Sequence, residues 1–240
     1  MAGSVAASVA LLFFVRRHPY SRYLKETNDV AGFYITIIGT LYSVILALMF
    51  FAVWDRYEKA EDQCTQEASR LIDVYQLADG MSEPYRTQVR TAARGYAEEV
   101  IQKEWPAMQT QRIDQINDNG LLHLITDINP PAAHDQALLA QVLGRVLDVE
   151  GDRRMRLHKA DANIPDMLWI MLILGAVVTV AFSCLFGVDS FRLHLLKASV
   201  LAATIALVLF TIWAIDDPFQ GDVRVKPEAF ERAVKQMEQP

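Results

Sequence analysis

The stretch VAGFYITIIGTLYSVILALMFFAVW, residues 30–54, contains no charged residue and no histidine over its 25 positions. Two further runs, 167–188 and 195–215, share this character, except for Lys197 near the start of the last. The Lys197 side chain is long enough to reach the membrane interface. A helix needs about 20 apolar residues to cross a hydrocarbon layer of about 30 Å. The sequence therefore predicts an all-α, multi-pass membrane protein.

The N-terminal residues 2–15 form a shorter apolar run, about 21 Å long as a helix. Arg16 and Arg17 follow this run instead of preceding it, which is the reverse of a cleavable signal peptide. We interpret it as a short or partial first membrane helix, which gives four apolar helices per subunit; an interfacial segment is the alternative.

The chain then divides into four segments. Residues 1–54 hold the first and second membrane helices, and 55–166 form an extramembrane domain between the second and third. Residues 167–215 hold the third and fourth membrane helices, and 216–240 form a tail with a short amphipathic helix near Pro227. Apolar or small residues recur every three to four positions from Tyr57 to Ala78, with no Gly or Pro between 55 and 79. This predicts that the second membrane helix continues unbroken to about Asp79-Gly80, and that the extramembrane domain is helical.

Motifs for catalysis or for a bound cofactor are absent from the sequence. It has no phosphate-binding loop, no Cys/His pair at zinc spacing, no GxSxG and no HExxH. Glu98, Glu99 and Glu104 could form a carboxylate site, but a solvated helix face explains them better. We therefore expect no enzymatic activity, no cofactor and no metal.

One face of the second membrane helix carries small and hydroxyl-bearing side chains. At 100° per residue, this face is formed by Gly32, Thr36, Gly39, Ser43, Phe50 and Trp54, with Ala47 beside it. Such a face can line a passive pore that narrows at Phe50 and Phe51. It can equally serve close packing of helices. Coupled transport is disfavoured, because the second and third membrane helices contain no ionisable group.

The positive charges near the membrane segments also have two interpretations. Arg153, Arg154 and Arg156 precede the third membrane helix by about ten residues. They could attract anions to a pore mouth or contact lipid head groups. Basic residues near membrane segments favour the cytoplasmic side. The basic residues of the 16–29 loop and those of the extramembrane domain lie on opposite sides of the membrane and therefore favour opposite orientations. The side of the extramembrane domain stays undecided.

Four stretches resemble the bestrophin-like family of bacterial and plant membrane proteins. They are VAGFYITIIGTLYSVILALMFFAVWDRYEKAEDQCTQEASRL at 30–71, EEVIQKEWPAM at 98–108, RRMRL with IPDMLWIMLILG at 153–157 and 164–175, and DDPFQGDVRVKPEAF at 216–230. The more specific marks are Glu104-Trp105 and the element Asp217-Pro218-Phe219-x-Gly221.

The distant likeness to bestrophins implies a homopentameric anion channel, for chloride, whose second helix lines the pore and whose neck is formed by hydrophobic rings. The expected partners are further copies of the chain, the lipid bilayer and small anions, with no nucleic acid. The expected location is the cell (inner) membrane. Bestrophins follow their Pro-Phe-Gly element with an acidic run that binds calcium. Here Asp222-Val223-Arg224-Val225 stands at that place, so a calcium site is not expected. A non-conducting, membrane-anchored helical scaffold or sensor is the alternative function.

Overall fold

A computed structural model describes residues 28–116, 120–161, 163–186 and 190–239. These residues form α-helices with short turns and no β-strand. The helices are α1 (Asn28–Leu77), α2 (Tyr85–Glu99), α3 (Trp105–Gln109), α4 (Leu121–Thr126), α5 (Ala133–Asp161), α6 (Asp166–Cys184), α7 (Phe191–Asp216) and α8 (Glu228–Met237). A π-helical turn, Val100–Glu104, joins α2 to α3.

Three of these helices are long and apolar enough to cross a membrane: α1 with the turn that follows it, α6 and α7. The first membrane helix expected at residues 2–15 lies outside the described residues. α1 runs unbroken to Leu77 and ends in a 3-10 turn at Ala78–Gly80, which confirms the predicted continuous helix. α6 ends four residues before the apolar run does, and α7 begins four residues before the predicted 195.

The chain divides into two compact units, and α1 contributes to both. The membrane unit contains the part of α1 up to Trp54 together with residues 164–216. The Tyr42 ring packs on α6, where a Cβ added to Gly175 would lie 2.5 Å from ring atoms. The Tyr42 hydroxyl donates to the Leu172 carbonyl at 2.9 Å. Gly175 is therefore a packing position, at which only glycine fits.

The ends of α6 and α7 are held together by one carboxylate. Asp216 accepts a hydrogen bond from the Ile164 amide at 3.2 Å and another from the Trp169 indole N–H at 3.3 Å. α7 stops at Asp216 because Pro218 lacks the N–H that a helix interior requires.

The extramembrane unit contains residues 55–163 and 217–240. Its core is built on the inner stripe of α1, where side chains at three-to-four spacing are buried; these are Ala60, Cys64, Ala68, Leu71 and Val74. Burying one Leu or Val side chain contributes about 1.5–3 kcal/mol to stability. Asp135 in the first turn of α5 accepts hydrogen bonds from the Ser82 hydroxyl and, at 2.9 Å, from the Ser82 amide. These bonds hold the pKa of Asp135 below its usual value.

Candidate pore-lining face and an internal ion-pair network

The α1 face that was predicted to line a pore is not covered by the other helices of the membrane unit. Gly32 and Gly39 are half-buried, whereas the rest of the face is exposed; its exposed members are Thr36, Ser43, Ala47, Phe50, Phe51 and Trp54. A Cβ added at Gly39 would meet no atom within 4 Å, and one at Gly32 would meet only the Phe186 ring, at 3.9 Å. Packing among the described helices of the subunit therefore gives no reason for glycine at position 39.

The hydroxyl groups on this face donate to their own helix. Thr36 Oγ1 donates to the Gly32 carbonyl at 2.8 Å, and Ser43 Oγ donates to the Thr40 carbonyl at 2.8 Å. With their donors satisfied, these side chains can lie in an apolar environment without the cost of an unmade hydrogen bond. The face is thus weakly polar and carries no fixed charge.

The end of this face nearest Asp55 is aromatic. The Phe50 and Trp54 rings stack with centroids 6.5 Å apart, and Phe51 is 68% exposed. A ring of such apolar side chains, contributed by several subunits, would form a constriction that water leaves readily, and that is one way in which pores close.

An apolar groove of about 640 Å³ runs alongside this face within the membrane unit. Gly39, Ser43, Ala47 and Phe50 of α1 line it, together with residues of α6 and α7. The candidate face is therefore one wall of an open groove in the subunit, and not part of its packed core.

Two of the three arginines predicted near the pore mouth are not exposed charges. Arg156 is 0% exposed and Arg153 is 4% exposed; both lie in the core of the extramembrane unit, with carboxylates as partners. Burial of this kind leaves neither guanidinium free to attract a passing anion or to contact a lipid head group. Arg154 is exposed, as both interpretations require.

The carboxylates of this network come from α1 and from the π-helical turn. Arg156 donates to Glu67 from Nε (to Oε2) at 2.8 Å and from Nη2 (to Oε1) at 3.0 Å, and Nη2 also donates to Glu104 Oε2 at 2.6 Å. Arg153 Nε donates to Glu104 Oε1 at 2.8 Å. The Tyr96 hydroxyl donates to Glu67 Oε1 at 2.7 Å. The two arginines and the two glutamates are all buried, and Glu150, also buried, lies 3.8 Å from Arg153 Nη1.

Burial and charge act in opposite directions on the groups of this network. Burial by itself lowers the pKa of Arg156, but the carboxylates of Glu67 and Glu104 outweigh it and hold that pKa well above the usual value. Burial, with the neighbouring Glu67 carboxylate, raises the pKa of Tyr96 well above the usual value. Arg156 stays charged and Tyr96 stays a hydrogen-bond donor throughout the physiological range.

The interpretation of Glu104 as part of a solvated face is wrong, and the π-helical turn gives the physical reason. Pro106 has no N–H, and its ring would clash with the Gln102 carbonyl in a regular α-helix. The wider turn at Val100–Glu104 relieves this clash, and Glu104 is buried there. The Pro in the Glu104-Trp105-Pro106 sequence is the signal that could have indicated an irregular helix at this position.

An aromatic cluster covers the network. The Trp105 ring meets the Phe219 and Phe230 rings edge-on, with centroids 5.7 and 6.0 Å apart. The Arg156 guanidinium lies 5.6 Å from the Phe230 ring centre. The two sequence marks, Glu104-Trp105 and Asp217-Pro218-Phe219, therefore meet in one structural centre. In the part of the chain that the structure describes, no group of three or more His, Cys, Asp or Glu side chains is placed to hold a metal ion.

Comparisons with known proteins give one family match and several similar structures. A family model described as a Bestrophin-like domain matches residues 2–230. No curated protein matches the chain. A mutant crystal structure of a bacterial bestrophin homologue from Klebsiella pneumoniae is similar, with a TM-score of 0.67 at 10% identity, covering 100% of this chain and 99% of that chain. Another structure of a Klebsiella pneumoniae bestrophin homologue gives a TM-score of 0.62 at 11% identity, covering 100% and 99% of the two chains. At such low identity, the structural likeness establishes the fold alone.

Proposed function

Because this chain belongs to the bestrophin-like family, we propose that it assembles into an anion channel in a membrane, with a passive pore lined by α1. The observation that carries this proposal is the uncovered face of α1 from Gly32 to Trp54. Half-buried glycines with exposed hydroxyl-bearing and small side chains, on an otherwise bulky membrane helix, need either a partner helix or an aqueous space. A ring of subunits would turn these faces toward a common axis.

The side chains along that face fit a passive pathway. The hydroxyl groups of Thr36 and Ser43 donate to their own helix and the face carries no fixed charge, so an ion would be bound weakly enough to leave again. Phe50 and Phe51 would form the narrowest part, in keeping with the hydrophobic neck of bestrophins. A pentamer, chloride as the permeant ion, and the cell (inner) membrane as the location belong to this proposal.

Fewer arginines are available to favour anions than the sequence predicted. Arg153 and Arg156 are neutralised by Glu104 and Glu67, so of the three only Arg154 presents its charge at the surface of the single subunit. A test of the function must therefore measure the sign of the permeant ion as well as conduction.

The test is a reversal potential measured on purified protein in liposomes with a sodium chloride gradient. A potential near the chloride equilibrium value, from an oligomer of about five subunits in detergent, is the expected result. A potential near the sodium equilibrium value would support a pore but refute its selectivity for anions. An intact oligomer without flux of either ion would instead support the membrane-anchored scaffold.

The pore assignment has its own test in two variants and a control. Phe50→Ala and Phe51→Ala should raise ion flux by widening the constriction. Ile38→Ala, on the opposite side of α1, should leave the flux unchanged. Equal flux from all three variants would show that the neck lies elsewhere.

A further inference from the structure

One exposed face of α5 has a composition that the subunit itself does not explain. Gly144 and Gly151 lie inside this long helix, and a Cβ added to either would meet no atom within 4 Å. Glycine inside a helix lowers helix stability relative to alanine, so it needs a reason. Leu147 and Met155, at helical spacing from these glycines, are 56% and 48% exposed. Small and apolar side chains thus share a face that water covers in the single subunit.

Charged side chains of opposite sign lie unpaired on α5 and on α1. Arg154, beside this α5 face, is exposed and makes no hydrogen bond or ion pair within the described residues. The Glu61 and Asp62 carboxylates of α1 are exposed too, and neither makes an ion pair or a side-chain hydrogen bond within the described residues. Their neighbours do pair: Lys59 with Asp55, and Arg145 with Asp148.

The register between α1 and α5 puts these charges at one height. The Lys159 ammonium donates to the Lys59 carbonyl at 2.7 Å, and Arg70 Nη1 donates to the Asp148 carbonyl at 3.4 Å. The two helices run antiparallel: position 59 of α1 lies level with 159 of α5, and position 70 lies level with 148. By this register Arg154 lies level with position 64, within one turn of Glu61 and Asp62.

We propose that the α5 face of one copy, formed by Gly144, Leu147, Gly151 and Met155, packs against α1 of a second copy, with Arg154 paired to Glu61 and Asp62 of that copy. The inference rests on the proposed function, because it specifies the contact by which the channel assembles. If the copies are related by rotation about an axis parallel to α1, each residue keeps its height along that axis in every copy. Arg154 of one copy then lies level with Glu61 and Asp62 of the next. A two-fold contact between two α5 faces would place Arg154 against Arg154, which repel. The contact is therefore head-to-tail, which is the type of contact that builds a ring when the rotation between copies closes.

Disulfide trapping tests the contact directly. In the full-length protein, Glu61→Cys combined with Arg154→Cys should give a ladder of covalent multimers on oxidation. Thr91→Cys with Arg154→Cys is the matched control, since Thr91 is exposed on α2. The native Cys64 and Cys184 are buried and should give little background. A ladder in the first variant alone is the expected result; no ladder, or equal ladders in both, would overturn the contact.

A pair of glycine substitutions separates assembly from folding. Gly151→Leu should remove most of the oligomer in detergent without loss of helix content. Gly95→Leu is the control and should keep the oligomer. A Cβ at Gly95 likewise meets nothing within 4 Å, but Gly95 lies on α2, outside the proposed contact. Loss of oligomer in both variants or in neither would contradict the proposal. Liposome flux distinguishes the two failures: an absent ladder with normal flux refutes this contact alone, and a clear ladder without flux refutes the channel alone.

Discussion

Replacing Arg156 with Met should unfold the extramembrane unit far more readily than the same change at Arg112. Arg156 is fully buried and donates to both Glu67 and Glu104. Its removal leaves two carboxylates in the core without their shared cation. Removing one partner of a buried ion pair costs about 3–5 kcal/mol. Because a domain is stabilised by only about 5–15 kcal/mol, this is a large part of the total.

Arg112→Met is the matched control, since this side chain is exposed and makes no side-chain hydrogen bond or ion pair among the described residues. A surface change of this kind alters stability by about 0.5 kcal/mol or less. The assay is urea unfolding of the detergent-solubilised protein, followed by the circular dichroism of its helices. The free energies of unfolding of the two variants should differ by about 3 kcal/mol or more.

A double-mutant cycle sharpens the test. Glu67→Gln combined with Arg156→Met removes charge from both sides of the pair, so it should cost less than the sum of the single changes. Additive losses, or equal stability of Arg156→Met and Arg112→Met, would refute the description of this network.

Three further predictions follow from individual contacts. Gly175→Ala should destabilise the membrane unit by about 1–3 kcal/mol through overpacking, whereas Gly39→Ala, which has open space, should not; thermal unfolding in detergent compares the two. Tyr96→Phe should cost about 1.5–3 kcal/mol in urea unfolding, because its hydroxyl donates to a charged group. Because the pKa of Tyr96 is raised in the folded state, its contribution to the free energy of unfolding is complete below the ordinary tyrosine pKa. That contribution is lost as pH rises through the higher folded pKa, so Tyr96→Phe should flatten the fall in stability at alkaline pH. The pKa of Asp135 is lowered in the folded state, so its contribution to the free energy of unfolding is present at neutral pH and is lost as pH falls through the folded pKa. Asp135→Asn should therefore weaken the acid dependence of unfolding. Ser82→Ala, which removes one of the two hydrogen bonds, should reproduce part of this effect.

Much of the helical architecture follows from local patterns in the sequence. The unbroken course of α1 was predictable because no Gly or Pro interrupts its three-to-four spacing up to Ala78. The end of α7 was predictable because Pro218 cannot continue a helix. These features depend on neighbours along the chain, which a sequence displays directly.

The ion-pair network was missed because its members are distant along the chain. Glu67 is 89 residues from Arg156, and Glu104 is 52 residues from it. Single charged residues on helices are usually solvated. Arg156 does continue the three-to-four spacing of the apolar stripe of α5, whereas Arg154 lies off it, but this spacing does not reveal which carboxylates are its partners. Glu67 does fall within the apolar stripe that contains Cys64 and Leu71, and this was the one sign that its charge is compensated inside the core.

The burial of this network also bears on how the protein responds to ionic strength. Mobile ions screen charges in contact with water over about 10 Å at 0.1 M salt, but they screen buried pairs much less. Arg156, Glu67 and Glu104 are sealed from the solution, so the pairing that holds the core together should persist while ion concentrations change around it. The proposed channel would then keep its own core charges insulated from the ions that it conducts.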